Sequence, residues 1–98
     1  MSIDPEKLEV VHDPKAGRFQ IEVGRWMAVL NYEMEGNAMV FTHTGVPRPL
    51  EGQGVGAKLA SAGLDYARQQ SHTVVPACAF MEVYMRRHPE YKDLLAEQ

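Results

Sequence analysis

Leu50-Glu51-Gly52-Gln53-Gly54-Val55-Gly56-Ala57-Lys58-Leu59 reads as a glycine-rich loop that opens directly into a helix. Alternate glycines at 52, 54 and 56 let the backbone approach a ligand with no Cβ in the way, and they tolerate positive φ. From Val55 the composition turns to helix formers, through Lys58, Leu59, Ala60, Ala62, Leu64, Ala67 and Arg68. A helix starting there points its unsatisfied first-turn N–H groups, and the positive end of its dipole, back into the loop. That combination receives phosphate oxygens. The plainer alternative is a tight strand-to-helix turn, although such a turn usually needs only one glycine.

Upstream, Gly45-Val46-Pro47-Arg48-Pro49 stops whatever precedes the loop, because its prolines remove ladder donors and impose an extended path. Residues 8–43 read as an antiparallel meander. Leu8–His12 is a short first strand closed by the turn Asp13-Pro14-Lys15-Ala16-Gly17. Arg18–Val23 alternates, with Phe19, Ile21 and Val23 on one face. After Gly24-Arg25, the residues Trp26, Ala28, Leu30, Tyr32 and Met34 fall on one side of a longer third strand. Glu35-Gly36-Asn37 is a hairpin turn into a fourth strand, Ala38–Thr44.

Downstream, the helix runs to about Gln70, with Val55, Leu59, Ala62 and Tyr66 as one stripe and Ala60, Leu64 and Ala67 as its neighbour. Small residues on that surface suit close packing on a sheet. Thr73–Cys78 is a buried fifth strand, and a right-handed crossover lays it parallel to the fourth. Pro76 makes that pairing incomplete or confines it to an edge. From Ala79 the pattern is helical again, with Phe80, Val83 and Tyr84 sharing a face. His88-Pro89-Glu90 then starts a last helix packed through Tyr91, Leu94 and Leu95.

Ninety-eight residues fit one domain, residues 1–98. A formal charge of −3 and a basic content without any run beyond Arg86-Arg87 point away from nucleic acid. No apolar stretch approaches the roughly 20 residues that cross a bilayer, and the N-terminus lacks the apolar core of a signal peptide. With one cysteine and hence no internal disulfide, the expected compartment is the reducing cytoplasm. The sequence is silent on oligomeric state.

Gly52-x-Gly54-x-x-Ala57 satisfies the dinucleotide pattern on paper, but its context fails. A proline-containing loop separates it from an antiparallel strand, and no acidic residue ends the strand at 73–78. The better match is the acyl-CoA motif of the GNAT superfamily of N-acetyltransferases: Arg or Gln, two residues, Gly, one residue, then Gly or Ala, opening a helix after a strand. Gly54-Val55-Gly56 fills the glycine part. More narrowly, the chain resembles the small single-domain GNAT-like proteins. Resembling features are His43-Thr44-x-Val46-Pro47, Leu50-x-Gly52-Gln53-Gly54-Val55-Gly56, Leu64-Asp65-x-Ala67-Arg68, Val75-Pro76-x-Cys78 and Tyr84-x-x-x-His88-Pro89-Glu90-Tyr91. Glu51 departs from the motif, bringing a negative charge where Arg or Gln is usual, and Gly45 replaces an expected acidic residue.

The resemblance implies an α/β GNAT-like fold, with a mixed, mainly antiparallel sheet and flanking helices, that binds acetyl-CoA and transfers its acetyl group to an unidentified amine. It maps a pyrophosphate site onto the backbone of Gln53, Gly54, Val55, Gly56 and Ala57, and a pantetheine contact onto Thr44 and Val46. Cys78 would lie beside the thioester as a transient acetyl acceptor. It ends a strand directly before a helix, where a thiol meets the positive end of a helix dipole. His43, at the end of the fourth strand and set beside the fifth by the crossover, is the candidate general base for the thiol or the incoming amine, and Tyr84, where many GNAT enzymes keep a tyrosine, is the acid for the departing sulfur. Each has a plainer reading: Cys78 as an inert core residue, His43 as a strand histidine bonded to backbone, Tyr84 as a core aromatic with a wet hydroxyl. His12, His72 and His88 have no metal-ligand spacing with Cys78, so no metal is expected. The alternative function is a non-catalytic CoA-binding protein, consistent with the small size and with Glu51.

Overall fold

In a computed structural model that describes residues 4–96, the chain forms a five-stranded sheet in sequential order, with helices packed against it. Residues 1–3, part of the segment read for a leader, lie outside the described residues. Strands β1 (Val11–Asp13), β2 (Arg18–Val23), β3 (Trp26–Glu35) and β4 (Ala38–Gly45) make the antiparallel meander. Helix α1 (Val55–Gln69) crosses over to β5 (Thr73–Pro76), which pairs parallel to β4, and helix α2 (Ala79–Arg87) follows. The resulting sheet is mixed and mainly antiparallel, as the alternation and the crossover predict.

The core lies between α1 and one face of the sheet. Ile21, Ala28, Leu30, Met39 and Phe41 come from the strands and Leu59, Ala60, Leu64 and Ala67 from the helix, all fully buried. Gly63 is part of this contact: a Cβ there would fall 2.9 Å from Leu30 Cδ2 and 3.1 Å from Phe41 Cε1. The helix therefore approaches the sheet as closely as a glycine allows.

The structure corrects several local expectations. The first strand begins at Val11, not Leu8; Leu8 and Val10 pack against the core outside the ladder, behind a 3-10 turn at Pro5–Lys7. The loop after β4 is not simply extended: Arg48–Leu50 forms a 3-10 turn that buries Leu50 completely. The fifth strand ends at Pro76, two residues earlier than its apolar run suggests. The last segment, Pro89–Leu94, is a 3-10 helix, and Leu95 is exposed while its backbone bridges to Val74.

Candidate functional site

Leu50 anchors the glycine loop in the core, and Gln53 Nε2 closes it by donating to the Pro49 carbonyl at 3.0 Å. Gly52 and Gly54 adopt φ of 74° and 82°, a region that strains any residue with a side chain. Gly54 is the N-cap of α1, and no side chain caps the helix. The first intrahelical bond runs from Lys58 N–H to the Gly54 carbonyl at 3.0 Å. The N–H groups of Val55, Gly56 and Ala57 thus have no acceptor within the helix. These residues line a cavity of about 520 Å³, walled otherwise by Thr44, Val46, Leu50 and Phe80, with exposed Glu51 at its rim. The Phe80 ring lies against the first turn of α1, since a Cβ on Gly56 would come 2.9 Å from Phe80 Cζ.

The second part of the site is a place where the sheet opens. The β4–β5 ladder ends with Phe41 opposite Pro76, whereas β4 continues to Gly45. The Phe41 carbonyl accepts both the Ala77 and the Cys78 N–H groups, at 3.0 and 3.1 Å. Pro76 has no N–H to extend the ladder, and the chain then turns into α2 with Cys78 as N-cap. From Thr42 to Gly45 the side of β4 facing β5 carries no ladder partner, and this open edge leads into the cavity at Thr44 and Val46.

Cys78 is half-buried at the point where the strands part, its Sγ 3.4 Å from the Thr44 hydroxyl. Thr44, not His43, meets the thiol because β4 carries a bulge. Asn31 pairs with His43 and Tyr32 with Phe41, which leaves Thr42 as the extra residue. Phe41 and Thr44 therefore share the core face with Leu30. His43 is exposed on the opposite face, its ring over Gly45, where a Cβ would sit 3.0 Å from His43 Nε2. Unbroken alternation from Met39 and Phe41 would have turned His43 inward.

Tyr84 stands six residues along α2 from Cys78, about 9 Å of helical rise. Its ring stacks on His88, with centroids 3.9 Å apart, and is nearly parallel to Phe80. Burial pushes its phenol pKa above the ordinary value, with smaller contributions from Glu90 and Asp65. Among the described hydrogen bonds and ring contacts, neither His43 nor Tyr84 touches Cys78. Among the described residues no cluster of His, Cys, Asp and Glu could hold a metal ion.

Sequence reasoning missed Leu50 as the loop anchor, Phe80 as a wall of the cavity, and the Thr44 hydroxyl as the partner of the thiol. Leu50 carries a local signal, an apolar residue isolated between Pro49 and Glu51. Phe80 carries none, because its place depends on how α2 packs on the first turn of α1.

The arrangement offers an anion cradle, an open strand edge and a thiol in continuity. The chain is similar to Protein NATD1 of Xenopus tropicalis, 30% identical over 90% of this chain and 84% of that one. NATD1 of Gallus gallus is 31% identical over 84% of this chain and 77% of its own length. Among solved structures, a GCN5-like putative N-acetyltransferase from Staphylococcus aureus superposes with a TM-score of 0.74 at 27% identity, covering 93% of this chain and 90% of that one. The family model for GCN5-related N-acetyl-transferase matches residues 18–94, which span every strand from β2 on and the whole site. The chain belongs to the GCN5-related N-acetyltransferase family.

Proposed function

We propose that this protein is an acetyl-CoA-dependent N-acetyltransferase acting on an amine, with the whole of residues 1–98 as its catalytic domain. The observation that carries the reading is the meeting, in one cavity, of the free N–H groups of α1 with the unpaired edge of β4. The residues fit acetyl-CoA: the backbone of Gly54–Ala57 suits a diphosphate, and the β4 edge near Thr44 and Val46 suits an arm bearing amides. Gln53 serves by closing the loop. When bound, acetyl-CoA supplies the acetyl group as an activated thioester.

The chain's own part is to hold, orient and move protons. The backbone N–H groups along the open edge of β4 offer donors for a carbonyl oxygen that gains negative charge. Cys78, held by the Thr44 hydroxyl, is the residue on which an acetyl group is parked in transit. Because His43 is exposed on the opposite face of β4, the proton of the incoming amine passes to water, with His43 reached only through water. Tyr84 is the acid for a departing sulfur: burial raises its phenol pKa and so keeps the proton on the hydroxyl at neutral pH.

A second reading, CoA binding without turnover, is favoured by one observation: neither His43 nor Tyr84 contacts the thiol. Intact mass spectrometry after incubation with acetyl-CoA, beside thermal melts with CoA, separates the two. The expected result is one acetyl adduct that Cys78→Ala removes, with CoA stabilising both proteins. Stabilisation without an adduct or any amine product would leave only the binding reading. The absence of both effects would overturn the proposal.

A further inference from the structure

Phe80, Tyr84 and His88 fall one turn apart along α2 and its C-cap, and each carries a ring. The rings form a ladder. Phe80 and Tyr84 are inclined 20° with centroids 6.3 Å apart, and Tyr84 and His88 are inclined 16° at 3.9 Å. Tyr91 is further off and tilted, at 6.4 Å and 35°, so the imidazole is the ring that lies against the phenol. The last rung is held by the way the helix ends. Pro89 has no N–H for the Met85 carbonyl, and the His88 N–H bonds there instead, at 3.2 Å. In a continuing helix that N–H would have gone to the Tyr84 carbonyl, which is thereby freed. The His88 side chain takes it, with Nδ1 at 2.7 Å from the Tyr84 oxygen. A carbonyl only accepts, so Nδ1 carries the hydrogen and the imidazole is pinned to the backbone of the residue on which it stacks.

We infer that His88 is a positioning residue for Tyr84, its pinned imidazole fixing the plane in which the phenol delivers its proton. The inference rests on the acyl-transfer reading above. In that reading the Cys78 sulfur bonds the acetyl carbon and loses its proton to water, the bond to the CoA sulfur breaks, and the Tyr84 hydroxyl protonates the sulfur that leaves. His88 makes two contacts of different kinds. Its hydrogen bond caps the end of α2, while its stack confines the phenol ring. A purely structural histidine needs only the first; a positioning histidine needs the second.

Two substitutions separate them. His88→Phe keeps a ring and drops the donor, whereas His88→Asn keeps a donor near the place of Nδ1 and drops the ring. Acetylation of Cys78 by acetyl-CoA is followed over time by intact mass spectrometry in the wild type and both variants, beside thermal melts with and without CoA. His88→Phe is expected to melt lower than the wild type and to acetylate at close to its rate. His88→Asn is expected to melt with the wild type and to acetylate roughly tenfold more slowly, with the CoA-induced rise in melting temperature intact. In a Tyr84→Phe background His88→Asn should slow the reaction no further, because the imidazole acts through the phenol. A rate that follows melting temperature across the variants, or an undiminished rate in His88→Asn, would overturn the positioning role while acetyl transfer stands. A wild type that CoA stabilises but acetyl-CoA does not acetylate would overturn it together with the transfer reading.

Discussion

His12 carries an imidazole into the aromatic end of the core, far from the glycine loop. Its Nε2 hydrogen-bonds the Tyr32 hydroxyl at 2.5 Å, its ring stacks on Phe19 with centroids 4.3 Å apart, and the Tyr66 ring meets it edge-on. Burial lowers its pKa below the ordinary 6.5, and Asp13 offsets this only in part. As pH falls below 6.5 the unfolded chain takes up the proton before the folded one does, so stability is full above that pH and is lost on acidification. Thermal melts across that range should show the wild-type melting temperature falling. His12→Phe keeps the stacking and should flatten the fall; an equally steep fall in the variant would mean that another group is responsible.

At the scale of elements, the contact between α1 and the sheet depends on Gly63. Adding one methyl drives Cβ against Leu30 and Phe41, both fully buried, so neither ring nor branch can retreat into solvent. Gly63→Ala should cost about 1–3 kcal/mol, read as a lower denaturant midpoint at unchanged slope, despite the better helix propensity of alanine. The strands, α1 and the parallel crossover were legible because each is written in a local period, as in Phe19-x-Ile21-x-Val23. The bulge at Thr42 was not. A bulge exists only in the pairing of two strands, and no residue within Ala38–Gly45 breaks the alternation to announce it. That one extra residue decides which of His43 and Thr44 faces Cys78. The end of β5 was half legible: Pro76 predicts weak pairing, but the double acceptance at the Phe41 carbonyl follows from the turn into α2.

For the molecule as a whole, the proposed CoA site predicts that ligand binding and folding are linked through the loop. A ligand that binds only the folded chain, at a hundredfold excess over its dissociation constant, should stabilise it by about 2.7 kcal/mol. We expect CoA to raise the melting temperature of the wild type. In Gly54→Val the gain should vanish, because a β-branched residue is strained at a φ of 82° and the loop cannot keep its N–H groups in place. A full CoA-induced rise in that variant would remove the loop from the site. The candidate site was legible to the extent that it is backbone, since glycine and proline declare backbone geometry in the sequence. Its side-chain walls were not, because Phe80, Thr44 and Cys78 are brought together by packing between elements distant in the chain.

The parting of β4 from β5 also bears on how the protein avoids itself. A bare strand edge invites another polypeptide to add a strand, the route to domain swapping and fibrils. Here the bare stretch runs only from Thr42 to Gly45, and Pro47 and Pro49 follow almost at once. A visiting peptide strand that began to pair would meet residues with no N–H to offer after a few steps, whereas a short ligand with two amides needs no more. The prolines that direct the chain into its loop thus act as gatekeepers, leaving too short a bare edge for another chain to extend.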